Sequence, residues 1–466
     1  MEPVTVTAPP PRHAAWAWAL AQATRDPYVT LIGIYIFTPY FVARVIGDPV
    51  AGQAFVASAD KWGGWIVMAT APLLGAMVDR HGPRKPWLAV VTAAMALAVA
   101  ALWFTPPGGV GLAQTGFALP RGAVFAIIAL MAVLISWHDM LHNALLVPAA
   151  GMAGVARASG LGLAGANAVT VVMLVTILFA FALPGVVDWA WLPRRPLLGL
   201  DPALGEPDRI TAPIVAAAMA LGVLPLLWLV PDLPRSGLRM AAAFRAGAGD
   251  LAQLARDARG HRNPLIFLAA RMIYTDGLTA ILIFSGLFAA GAMRWGTLEL
   301  LGYGIILSVA AVVGGLAAGW LDNRIGPKRA IQGELTALII LQTMFLGMAH
   351  DRIIFMPFNP VPLWNAPMFR TLPELVFLVI AMGLAICVVS AYASSRTMLT
   401  RVAPLEKMGV FFGLYALSGT ATMWLGPLLI ENATLAGGSQ AWGMAPIVGM
   451  LAAGRALLAL VKGGGR

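Results

Sequence analysis

Apolar runs of the length needed to cross a lipid bilayer recur from one end of this 466-residue chain to the other. A helix rising 1.5 Å per residue needs about 20 apolar residues to span the hydrocarbon core. Such runs fall at 28–45, 62–78, 87–104, 123–147, 160–183, 212–230, 265–290, 298–321, 330–348, 373–393, 410–430 and 441–461. They predict twelve transmembrane helices, the first of which could start earlier, near Trp16, with its beginning along the membrane interface. Lipid cannot satisfy bare backbone groups, and the period-two alternation of barrel strands is absent, so helix is the state these runs dictate. Only 11% of the residues are charged, against about 25% in an average soluble domain. That leaves too little charge to coat a water-facing surface. The expected fold class is all-α integral membrane.

The formal net charge of +10 would suggest nucleic acid on a soluble protein. Here its location explains it. With both termini placed in the cytoplasm, Lys and Arg in the inside segments outnumber those outside by about two to one, as the positive-inside rule requires. A multi-pass protein of the bacterial inner membrane is expected, with the lipid bilayer as its partner and no nucleic acid. The segment 231–263 carries six arginines and divides the chain into halves at 1–230 and 264–466. Residues 238–259 suit either an interfacial amphipathic helix or a solvated linker. The outside loops at 184–211 and 349–372 are rich in Pro and Trp, and Trp189, Trp191 and Trp364 suit the membrane–water boundary. Cys387 is the only cysteine, which excludes an intrachain disulfide and a Cys-based metal cluster.

A turn is duplicated. After the second run the chain reads Gly75-Ala76-Met77-Val78-Asp79-Arg80-His81-Gly82-Pro83-Arg84-Lys85; after the eighth it reads Gly319-Trp320-Leu321-Asp322-Asn323-Arg324-Ile325-Gly326-Pro327-Lys328-Arg329. Each copy has an Asp at a helix end, a Gly-Pro turn and two cations, and the copies lie about half a chain length apart. Glycine permits the tight turn and proline fixes it. The cations hold the loop inside, and the Asp can bind a neighbouring arginine or a helix N-terminus. The pattern suits a gate; a purely topogenic basic turn would need no second copy at the corresponding place.

This duplicated turn resembles the signature loop of the major facilitator superfamily. Trp18-Ala19-Leu20, Tyr28 and Phe37-Thr38-Pro39-Tyr40-Phe41 resemble the first helix of its autophagy-related vacuolar-effluxer-like branch. Asn143-Ala144-Leu145-Leu146 with Pro148, Ser159-Gly160-Leu161-Gly162, Tyr274-Thr275-Asp276-Gly277, and Ser395-Arg396 through Phe411 to Gly419 and Gly426-Pro427 resemble its later helices. Gln22 and Thr420 stand where the branch often has Asp and Lys. The resemblance implies two pseudo-symmetric six-helix bundles with a midplane cavity lined by helices one, four, seven and ten. It also implies movement of a small polar solute, an amino acid among the candidates, by alternating access with possible proton coupling.

A charge at mid-membrane costs about 2.5–3.5 kcal/mol on insertion scales, so ionisable residues inside spans need a partner or a water-filled cavity. His138, Asp139, His142 and Asn143 share one face of span four. His138 lies about 15 Å from Pro148 along the axis. They suit a proton relay or substrate-binding face, a structural contact between helices, or a metal site lacking further ligands. In span seven stand Arg271, Tyr274, Asp276 and Gly277, with Asp276 about 18 Å in from Pro264. Gly277 could break that helix to face a ligand; an internal Arg271–Asp276 pair is the structural alternative. The two clusters are expected to face one cavity. Gln22, Arg25 and Asp26 read as a local ion pair, and Glu299, Glu334, Glu374 and Glu431 as solvated span ends.

No Walker loop, catalytic triad, Cys cluster or dinucleotide fingerprint is legible. The chain is therefore expected to be a monomeric, gradient-driven carrier without cofactor or metal, not an enzyme. A non-transporting helper that binds a pigment, lipid or protein in a transporter-like shell is the other reading. An apolar cavity without titratable groups would mark it.

Overall fold

The computed structural model describes residues 12–81, 83–108, 117–232, 260–404 and 408–462, with isolated positions between 242 and 257. Most of the 238–259 segment, expected as either an interfacial amphipathic helix or a solvated linker, lies outside the described residues.

The chain is built from long helices. In order they are α1 (His13–Ile46), α2 (Pro49–His81), α3 (Lys85–Phe104), α4 (Arg121–Ala144), α5 (Leu146–Ile177, prolonged by Leu178–Ala182) and α6 (Glu206–Leu229). Then follow α7 (Arg262–Ala292), α8 (Thr297–Ile325), α9 (Pro327–Leu346), α10 (Leu372–Val402), α11 (Met408–Thr420 and Leu425–Gly437) and α12 (Gln440–Ala459). Ten helices among the described residues are long and apolar enough to cross a membrane. The two outside that ten are α2 and α9, in the places of the second and ninth expected spans. Arg329, Gln332, Glu334 and Gln342 lower the hydropathy of α9. The loop between α9 and α10 adds a two-stranded hairpin, Arg352–Ile353 against Met356–Pro357.

The first helix takes the early start that its sequence allows, near Trp16, and one expected boundary moves: α2 begins at Pro49, well ahead of residue 62. Asp60 and Lys61 therefore sit inside a helix, although hydropathy assigns them to its mouth.

The two halves repeat one packing plan. In the first, α1 packs on α5 and α6, α2 on α4, and α3 on α4 and α6. In the second, α7 packs on α11 and α12, α8 on α10, and α9 on α10 and α12. These pairings recur with each helix number raised by six, so the duplication seen in the turns extends into both bundles. Between bundles, α2 packs on α11 and α5 on α8, with α1 against α7. Close backbone approach makes this possible. A Cβ on Gly64 would lie 2.7 Å from the Trp424 amide nitrogen.

The duplicated turns end α2 and α8. Gly326 holds φ +82°, the left-handed region where a side chain is strained. The cations act as C-terminal caps in their own bundle. Lys85 Nζ donates to Val230 O at the end of α6 (2.8 Å), and Lys328 Nζ to Val461 O at the end of α12 (2.6 Å). These are equivalent places in the two repeats, and both put a cation where the helix dipole is negative.

Candidate functional site between the bundles

Proline shapes the central part of α1. Pro39 lacks the N–H that an unbroken helix needs, and the chain widens into π-helical turns at Tyr28–Tyr35 and Phe41–Ile46. Thr38 Oγ1 returns a hydrogen bond to Ile32 O (2.9 Å). The widened stretch turns Tyr28, Ile32, Phe37 and Thr38 toward a cavity of about 280 Å³ between the bundles. Helices α1, α4, α7 and α10 all contribute to its wall, as the resemblance implies, and so do α2 and α11 through Asp60, Met423 and Pro427. Most of the wall is apolar. Its polar members are Tyr28, Thr38, Asp60, Asp276, Thr279 and Tyr392.

Asp276 is 6% exposed and accepts a hydrogen bond from Gly426 N (3.1 Å) at Oδ2. That amide is free because α11 is broken between Thr420 and Leu425, and the first amides of a helix have no partner within it. The break expected at Gly277 is therefore found in α11. Gly277 stays inside the unbroken α7. It lies against α12, where a Cβ would be 3.4 Å from Leu451. The polar turn that faces the site is supplied by the partner of α7.

Arg271 and Asp276 do not pair. Arg271 stacks on the Tyr415 ring, 3.5 Å from its centroid, and donates to Tyr415 O (2.9 Å) and Ser418 Oγ (2.5 Å). Tyr274 is fully buried, and its hydroxyl is 2.7 Å from Ser395 Oγ. Of the four residues expected in span seven, only Asp276 lines the cavity.

The span-four cluster is held elsewhere. The Arg25 guanidinium bridges Asp26 and Asp139 and lies 3.2 Å from His138 Nδ1. His142 and Trp18 clasp reciprocally: Trp18 Nε1 donates to His142 O (2.8 Å), His142 Nε2 is 3.0 Å from Trp18 O, and the rings stack. These contacts tie α4 to α1. Asn143 is exposed. The two clusters expected to share a cavity are thus separated, because His138, Asp139 and His142 turn to Arg25 and Trp18. Arg25 reaches beyond its neighbour Asp26, so the local pair becomes a link between helices.

Among the described residues, the turn cations bond within their bundles. Arg84 and Lys85 backbone amides meet the Asp232 carboxylate (2.9 and 3.0 Å), and Arg84 donates to Ala144 O (2.6 Å). Lys328 also donates to Ala459 O (3.1 Å). Arg324 stacks on Trp320, and Arg329 is exposed. Asp322 is 8% exposed, with Oδ1 lacking a partner among the described residues. Gly82 and the side chains of Asp79 and Arg80 lie outside the described residues, and Gly75 lies within α2.

The glutamates expected as solvated span ends have protein partners. Glu334 is 5% exposed and accepts from Ser390. Glu374 accepts from Trp295 Nε1 (3.0 Å) and Thr371 N (2.8 Å), capping α10. Glu431 forms an ion pair with Lys61 across the bundle interface. Glu299 bonds Gly296 N (3.0 Å), capping α8. Sequence reasoning missed Asp60 and Lys61, which lie just ahead of the second apolar run in the sequence.

The end of the molecule opposite the duplicated turns is tied across the interface. Gln53 Nε2 donates to Thr434 Oγ1 (2.9 Å) and Gln440 O (3.1 Å). Gln440 Nε2 donates to Pro49 O (3.3 Å), and Thr297 donates to Asp208. With Lys61–Glu431 these bonds join α2 to α11 and α12, and α6 to α8.

Comparison with solved structures shows the same fold. The chain resembles a mutant form of the nucleoside transporter NupG (14% identity, 97% of this chain and 100% of that one, TM-score 0.62). It also resembles a D-xylose–proton symporter (13%, 97% and 98%, TM-score 0.63) and a bacterial homologue of the iron transporter ferroportin in an inward-facing state (12%, 96% and 97%, TM-score 0.60). Autophagy-related protein 22 of Yarrowia lipolytica is 25% identical over 175 residues, covering 38% of this chain. The match spans 27% of that protein's length. The family model described as "Vacuole effluxer Atg22 like" matches residues 207–463. The chain is a multi-pass integral membrane protein with the major facilitator fold, and it belongs to the Vacuole effluxer Atg22 like family.

Proposed function

We propose that this protein is a secondary active transporter that moves a small polar solute through the cavity between its bundles by alternating access. The observation that carries this reading is the position of the cavity: it lies between two repeated bundles, with a carboxylate from each half in its wall. A shell that merely holds an apolar pigment or lipid has no use for Asp60 and Asp276, since burying charge is costly without a ligand or water to meet it. The cavity is small against the 300–1,000 Å³ or so of drug-sized sites. Amino acids and amines fit that size, and Asp60 and Asp276 are the groups that could couple solute to protons.

In this reading the halves are 1–230 and 264–466, the segment 231–263 links them in the cytoplasm, and the protein works as a monomer in a bacterial inner membrane. The cross-bundle bonds at Gln53, Lys61 and Gln440 close the outer side. The Asp79 and Asp322 turns close the inner side when the outer side opens. Asp322 Oδ1, without a partner among the described residues, is available for that alternative contact.

A cleavable cross-link tests this reading. Gln53→Cys and Thr434→Cys, in a Cys387→Ser background, put one thiol on each bundle at side chains that a 2.9 Å bond now joins, for a short bis-methanethiosulfonate to span. Cross-linking is expected to stop uptake of a labelled amino-acid and amine pool into proteoliposomes, and reduction to restore it. Uptake that proceeds undiminished in the cross-linked protein removes the alternating-access reading.

A further inference from the structure

The charge balance of the cavity selects its ligand. Asp60 comes from α2 and Asp276 from α7, and among the described residues no Lys, Arg or His lines the wall. The nearby cations on the same helices are committed elsewhere, Lys61 to Glu431 and Arg271 to Tyr415 and Ser418. Asp60 has no hydrogen-bond or ion-pair partner among the described residues. Asp276 is nine-tenths buried and uses one oxygen on Gly426 N, leaving Oδ1 without a partner among the described residues.

We propose that the cavity takes a small organic cation: a protonated amine on an apolar body, held by Asp60 and Asp276. The proposal rests on the reading of this cavity as the solute site and narrows it to a substrate class. Two carboxylates in a weakly polar wall repel an anion and attract a cation far more strongly than they would in water. An ammonium group donates up to three hydrogen bonds, enough to meet both aspartates and one hydroxyl, such as Tyr392. Phe37 and Phe284 supply ring faces for the cation or for an apolar body. A zwitterion fares worse, because its carboxylate needs a cation or a free helix N-terminus. The helix N-terminus at Gly426 is already occupied by Asp276.

The test uses three compounds that share one ring and differ in charge: phenethylamine, phenylalanine and phenylacetate. Each is titrated against detergent-purified full-length protein while thermal unfolding is followed. Phenethylamine is expected to raise the melting temperature saturably, and the other two to have little effect. Asp60→Asn and Asp276→Asn are each expected to weaken the amine by about tenfold or more, as loss of a charge-assisted contact does. Equal stabilisation by all three compounds, preference for the zwitterion or anion, or no response to the amine overturns the proposal, and none of these depends on a variant folding. Amine binding without amine uptake in proteoliposomes would refute the transport reading and leave the selectivity standing. Uptake of phenylalanine without amine binding would do the reverse.

Discussion

Lys61 and Glu431 form an ion pair between α2 and α11, with side chains only 12% and 15% exposed. Lys61 also lies over the Trp65 ring, 5.7 Å from its centroid. Removing one partner of a buried pair strands the other charge, at a cost of about 3 kcal/mol or more, whereas removing both is often close to neutral. Lys61→Met and Glu431→Met are each expected to lower the melting temperature. They should also raise maleimide labelling of a cysteine placed at Gln53 in the Cys387→Ser background. The Lys61→Met/Glu431→Met double variant should recover much of the lost stability. Additive losses in the double-variant cycle would show that the two residues are not coupled.

Asp276 caps the second segment of α11 through Gly426 N. Asp276→Ala leaves that amide without its acceptor and is expected to cost about 1 kcal/mol, the usual value of a lost helix cap. Asp276→Asn keeps an acceptor oxygen and should cost less. Hydrogen exchange at the Gly426 amide is the direct readout. It should quicken in the alanine variant and change little in the asparagine variant, and equal exchange in both would remove the capping role.

Gly64 sets the spacing of α2 and α11. Its missing Cβ leaves room for the Trp424 backbone, which a methyl would approach to 2.7 Å. Gly64→Ala is expected to push the helices apart at a cost of about 1–3 kcal/mol, typical of overpacking. Lower thermal stability together with a longer spin-label distance between α2 and α11 is the expected pair of results. An unchanged distance would mean that the interface absorbs the methyl elsewhere.

Arg25 is shared by Asp26, Asp139 and His138. Arg25→Met leaves two carboxylates and a buried His138 without their shared partner and should lower stability more than loss of Asp139 does. Asp139 is 47% exposed on its side chain, so water compensates its loss and Asp139→Asn should cost less than about 1 kcal/mol. Half-lives in detergent at fixed temperature would rank the two variants. The opposite order would show that Asp139 and not Arg25 holds the network together.

Membrane insertion, helical state and internal duplication were legible in the residues alone. Each depends on local sums: about twenty apolar residues in a row, basic residues biased to alternate loops, and a Gly-Pro turn repeated half a chain later. The partners of the polar side chains were not legible. Asp60 and Lys61 are adjacent in sequence, yet one faces the cavity and the other crosses to Glu431. Arg271 and Asp276 share a helix and turn to different parts of α11. The helix break expected at Gly277 lies instead between Thr420 and Leu425.

Hydropathy measures how much of a helix is apolar and is blind to its rotation about its own axis. Neighbouring residues on a helix point about 100° apart, so a small rotation decides which of two adjacent charges enters a cavity. That rotation is fixed by how glycines and large side chains of facing helices interlock, as at Gly64 and Trp424. The sequence by itself therefore determined that the chain crosses a membrane as a duplicated set of helices. Only tertiary packing decided that a carboxylate from each half would meet the same small chamber.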